Sequence, residues 1–254
     1  MDFRTYMQQI LPVCSEYLKE HTDECGQFAE EKLPETKAYL GTMGQDDAAV
    51  HGVLGIQHLV CALYYTENHF LPDNSSEHAA LAKEHFETYL AMVGDTLSDE
   101  QKGHQALYIN RAVTLQAYCA LQNDDFEKVL EILSDQPVTA LVAALCGTAS
   151  TRIAYEREGM ENHAYVAYLL LSQMDEIVQA PFQWLFEEDA FRAAYSFLTL
   201  LVTDANDRFP NETRIPQSNA KALEYAEKIY GMVQDPQQKE WAREDLEIYR
   251  QRME

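Results

Sequence analysis

Eight histidines raise the first chemical possibility in this chain of 254 residues. His51 and His58 stand seven apart, and so do His78 and His85, so each pair lies two turns apart on one helix face. Two-histidine ligation from a single helix prefers a spacing of three or four, and no HExxH, HxH or CxxC pattern completes a site. These histidines are expected at the surface or packed within a helical hairpin, with no metal and no cofactor. Glu187-Glu188-Asp189 is the densest acid run inside an apolar stretch. Consecutive residues fan around a helix, so the three cannot share one cleft, and a solvated face is expected there. Arg192, four residues after Glu188, can pair with it along the helix. No phosphate-binding glycine loop, nucleophile elbow or recognisable cysteine–histidine pair occurs, and the chain is not expected to be an enzyme.

Acidity is the most unusual bulk property. The formal net charge is −23, with 42 acidic residues against 19 basic ones. Such a surface repels nucleic-acid backbones and anionic membranes and speeds encounter with a basic partner. The 46% hydrophobic fraction is that of a folded chain, so the acidity does not imply disorder. Five cysteines form no CxxC pair, and reduced thiols in a cytoplasmic protein are expected. Cys14 and Cys25 could pair only if the first helix ends between them. The opening residues contain no apolar run of signal-peptide length, and the apolar stretch around Val138 to Cys146 is too short to span a bilayer.

The elements that must position these residues read as helices throughout. Few glycines and prolines, with long runs rich in Ala, Leu, Glu, Gln and Lys, predict an all-α fold. Residues 1–20 form an amphipathic helix with Phe3, Met7, Ile10, Val13 (or Cys14) and Leu18 (or Tyr17) inward, and Pro12 is expected to kink it or mark its start. A second helix is expected over Glu24–Leu40, interrupted at Pro34, poor in large apolar residues and loosely packed. Asp46–Asn68 and Glu77–Val93 follow around a turn at 70–76. Ser98 and Gln101 have capping-box spacing and open a helix to Leu121. Further helices are expected over Asp125–Leu133, Val138–Gly147, Pro181–Val202, Ser218–Val233 and Gln237–Met253, the last opened by Asp235-Pro236.

Within Thr151–Leu171, Ala154 and Tyr155 precede Gly159, and Ala164 and Tyr168 follow at helical spacing. Two helices meeting at Gly159 would set Ala154 against Ala164, small residues that let the backbones approach. This stretch resembles the helical hairpin of a tetratricopeptide repeat. The likeness is weaker over residues 103–133, at Ala117-Tyr118 and Asp125-Phe126. Arg152-Ile-Ala-Tyr155 recurs as Arg192-Ala-Ala-Tyr195. The resemblance implies an irregular α-solenoid of stacked antiparallel hairpins in a single domain: N-terminal helices over 1–44, hairpins over 46–202 and capping helices over 218–254.

That resemblance also implies a partner-binding inner surface. Tyr64, Tyr65, Tyr108, Asn110, Arg111, Arg152, Glu156 and Arg192 would lie near it, and Glu187 and Glu188 complete the candidate set. The leading expectation is a non-catalytic protein that binds a basic protein partner, as an acidic inhibitor similar in size and charge to toxin immunity proteins. A tetratricopeptide-like scaffold or peptide sensor, a helical enzyme with a histidine site, and a nucleic-acid mimic are the alternatives.

Overall fold

The computed structural model describes residues 2–42, 47–137, 139–156, 184–191, 223, 226–227, 230–231 and 236–253. Every regular element among them is helical, and no strand occurs among the described residues. The chain divides into two units, Met1–Asp125 and Phe126–Glu254. The expected Pro181–Val202 and Ser218–Val233 helices, and the Gly159 turn, lie largely or wholly outside the described residues.

In the first unit five helices follow one another: α1 (Phe3–Glu20), α2 (Asp23–Lys37), α3 (Asp47–Glu67), α4 (Pro72–Val93) and α5 (Asp99–Gln122). Consecutive helices pack side by side, and α3 also meets α1 and α5. Asp2 caps α1 by accepting from the Thr5 backbone N–H at 2.9 Å. Pro12 neither starts nor ends this helix, which runs through it with the ring on the exposed side. Its buried stripe is Phe3, Tyr6, Ile10, Cys14 and Tyr17. Tyr6 takes the place expected of Met7 because its hydroxyl finds partners inside, Thr36 Oγ1 at 2.7 Å and the Lys32 carbonyl at 2.9 Å.

α2 corrects a second expectation. Its buried face is Gly26, Ala29, Leu33 and Thr36, and this smallness is what brings it close to α3. A Cβ on Gly26 would sit 2.2 Å from the Tyr64 ring. Gln57, fully buried on α3, accepts from Thr36 Oγ1 at 2.6 Å and donates to the Ala29 carbonyl at 3.3 Å. The scarcity of large apolar residues therefore marks a close helix contact, and Pro34 is accommodated within the helix.

α3 is the central helix. Fourteen of its 21 residues are buried, since four other helices surround it. By length and composition it is apolar enough to cross a membrane, although most of it lies inside the fold. Gly55 brings it against Phe86 of α4, where a Cβ would meet the ring at 2.6 Å. The α4 helix begins at Pro72, five residues before the expected Glu77, because proline suits a first helical position. The expected capping box is present: Gln101 N donates to Ser98 Oγ at 3.2 Å and Ser98 N to Gln101 Oε1 at 2.9 Å.

In the second unit α6 (Phe126–Leu133) packs on α7 (Ala140–Glu156), and α8 (Pro236–Met253) opens on its proline as expected. α7 is continuous through Gly147, so the expected Val138–Gly147 helix and the start of the Thr151 stretch are one element. All five cysteines are free thiols. The helix break between Cys14 and Cys25 does exist, yet the two remain unpaired.

Candidate functional site

Seven-residue spacing on two antiparallel helices brings the histidines together. His51 Nδ1 meets His85 Nδ1 at 2.9 Å, and His58 Nδ1 meets His78 Nδ1 at 2.9 Å. The His58 and His85 rings stack with centroids 5.5 Å apart, and Tyr65 continues the row 5.5 Å from His78. Tyr65 in turn donates its hydroxyl hydrogen to the Glu30 carboxylate of α2. The expectation of hairpin-packed histidines thus takes the form of a column of rings from His51 to Tyr65.

Chemistry restricts what this column can hold. An Nδ1–Nδ1 hydrogen bond needs one donor and one acceptor, so each pair has room for at most one imidazolium. His58 is 1% exposed, and burial, then His78, Lys37 and His85, push its pKa down to about 3. His85 is pushed down to about 4 by burial and then by His51. Burial also lowers His78, against the opposing pull of Glu30 and Glu77. These three imidazoles are neutral near neutral pH. Among the described residues no three His, Cys, Asp or Glu side chains group as a metal site.

The residues singled out for partner binding fall in both units. Tyr64 is 5% exposed, held between Gly26, Tyr17 and His69, whose ring lies 4.4 Å away. Tyr65, 5.6 Å from it, is half-buried in the histidine column. Tyr108 is half-buried on α5 and stacks on Phe86 at 5.4 Å, facing α4. Asn110 and Arg111 are half-buried on the same helix, and burial lowers the Arg111 pKa to about 10. In the second unit the Arg152 guanidinium lies 5.3 Å over the Phe126 ring, a cation–π contact. Glu156 ends α7. Glu187 is 3% exposed, which corrects the expectation of a solvated acid face, while Glu188 is half-buried. Arg192 lies outside the described residues.

Two surface features were not singled out from the sequence. The first is a line of acids on α4: Asp73, Glu77, Glu84 and Glu87 are all exposed, and 3.6-residue periodicity aligns them with Ala80 and Ala91. The histidines of that helix, His78 and His85, flank this line, each following one of its acids, Glu77 and Glu84, in the sequence. The second feature is one end of the first unit. Its connections meet there: His21 Nδ1 bonds Glu67 at 2.6 Å, Asn68 Nδ2 reaches the His21 carbonyl at 3.4 Å, and Asn123 donates to Asp73 at 2.8 Å. The three non-glycine residues with positive φ among the described residues, His21, Phe70 and Asp124, all lie at this end. Phe70 is 73% exposed there and Leu71 46%. Phe70-Leu71-Pro72 sits between two helical patterns and belongs to neither apolar face, the signal by which the sequence could have shown it.

No family model, curated protein or solved structure matches this chain.

Proposed function

We propose that this chain is a non-catalytic helical module that binds a basic protein, acting as an inhibitor of the toxin-immunity kind. The observation that carries this reading is the acid line of α4. Four exposed carboxylates run along one face for about 21 Å, at the helical rise of 1.5 Å per residue. Among the described residues one cation touches the line, Lys83 at 3.6 Å from Glu87. The first unit as a whole has 20 acidic and 7 basic residues, a formal charge of −13. A surface of this kind steers a basic partner and disfavours nucleic-acid backbones and anionic lipid.

The stacking of consecutive antiparallel helices supports a second, narrower reading within the same class, a tetratricopeptide-like scaffold. The two readings differ in what salt does. Capture by steering weakens as ionic strength rises, whereas a desolvated groove contact changes less. The test is a pull-down from the native cell at low and high salt, followed by association kinetics with the identified partner. A single basic partner whose association slows with salt and with Glu77→Lys/Glu84→Lys is expected. A neutral or acidic partner, bound equally at both salts, overturns the inhibitor reading.

A further inference from the structure

An aromatic side chain left in water needs a physical reason, and at Phe70 the turn supplies it. Phe70 has φ 54°, in the left-handed region that bulky residues seldom adopt. The turn is held on both sides. Leu71 N–H donates to the Tyr65 carbonyl at 2.9 Å, and Ser75 N–H donates to the Leu71 carbonyl at 3.0 Å. His69 Nε2 lies 3.4 Å from Asp23, tying the turn to α2. Beneath it Thr66 and Ser75 share a buried hydrogen bond of 2.6 Å, with the Cys119 thiol donating to Ser75 at 3.3 Å. The ring is thus presented on a turn tied to three helices, so ordering it in a complex costs little entropy.

Charge selects what would cover it. In the stretches 17–25, 64–77 and 118–125 that build this end, seven carboxylates are exposed against one lysine, Lys19. A second copy of this chain, itself at −23, would bring like charge to this end, and an anionic membrane would do the same. A partner surface carrying Lys and Arg around an apolar pocket meets both features at once.

We infer that this end of the first unit is the docking surface for the basic partner, with Phe70 entering an apolar pocket and the carboxylates around it pairing with the pocket's cationic rim. The inference rests on the proposed function and adds the place and the anchor. Aromatic anchors at the centre of an interface, ringed by polar contacts, carry most of the binding energy of such complexes.

The test is selection of random sixteen-residue peptides, displayed on phage, against the full chain and its Phe70→Ser variant. At 73% exposure the ring makes little of the fold, and matching thermal melts check that the variant is intact. The expected peptides combine Lys or Arg with an apolar segment. They lose about thirtyfold in affinity on Phe70→Ser, as truncation of a central anchor does, and keep most of it on Phe70→Tyr. Basic peptides that bind Phe70→Ser equally well overturn this surface and leave the basic-partner reading standing. Selected peptides without basic residues, or no enrichment, overturn both. Phe70-dependent self-association in sedimentation overturns the inference in favour of a second copy.

Discussion

Acidifying the protein from pH 8 to pH 5 should destabilise its first unit, and His58 sets a scale for the loss. In the unfolded chain this imidazole titrates at its ordinary value of 6.5, whereas burial and its imidazole neighbours hold it near 3 in the fold. A lowered pKa in the native state means that stability is fully present above pH 6.5 and declines as pH falls below it. At pH 5 the unfolded chain has bound the proton and the folded chain has not. The difference of 1.5 pH units corresponds to about 2 kcal/mol from His58 alone. His85 and His78 act in the same direction, with a contribution reduced by their partial exposure to solvent. The opposing carboxylates are Glu84 beside His85, and Glu30 and Glu77 beside His78, while Lys37 adds to the loss. Urea unfolding followed by far-UV circular dichroism at pH 8, 7, 6 and 5 measures the slope. Both tryptophans, Trp184 and Trp241, belong to the second unit, so their fluorescence reports that unit separately. His58→Phe keeps an aromatic ring in the column and removes the proton site, and should flatten the slope by close to one proton. A wild-type stability that is constant between pH 7 and 5, or an unchanged slope in the variant, would refute the account of the column.

Two further predictions concern the frame. Gly26→Ala puts a methyl group into the Tyr64 ring and should cost about 1–3 kcal/mol, read as a lower denaturation midpoint with an unchanged m-value. Ser98→Ala removes one half of the capping box of α5 and should cost about 1 kcal/mol in the same measurement.

Local signals told where two of the helices begin. Ser98 with Gln101, and Pro236 at the head of α8, are chemistry of the chain's own neighbours, and both helices start where those signals stand. The shared seven-residue spacing of the two histidine pairs also carried real information, because antiparallel helices with equal spacings keep their pairs in register. Orientation was harder. α3 is apolar on nearly every side, so its periodicity could not say that Tyr64 turns into the core while Tyr65 joins the histidines. The close approach of α2 was hidden for a related reason: a glycine shows its use only when the ring that fills its place is known, here Tyr64. Phe70 carried a sequence signal, its place outside both apolar faces, but the degree of its exposure is set by the neighbours that the turn acquires, a property of the assembled unit.

The burial of α3 on all sides has a consequence for how the protein is made. A segment of this apolarity, free in the cell, is a target for sticking, insertion into lipid or capture by chaperones. The order of the chain reduces that hazard. α1 and α2 are synthesised before α3, and between them they supply the tyrosines, the Ala29 carbonyl and the Thr36 hydroxyl that receive one side of it. α4 follows at once across a four-residue turn and brings the imidazoles to the other side. This apolar helix is therefore bracketed in time as well as in space.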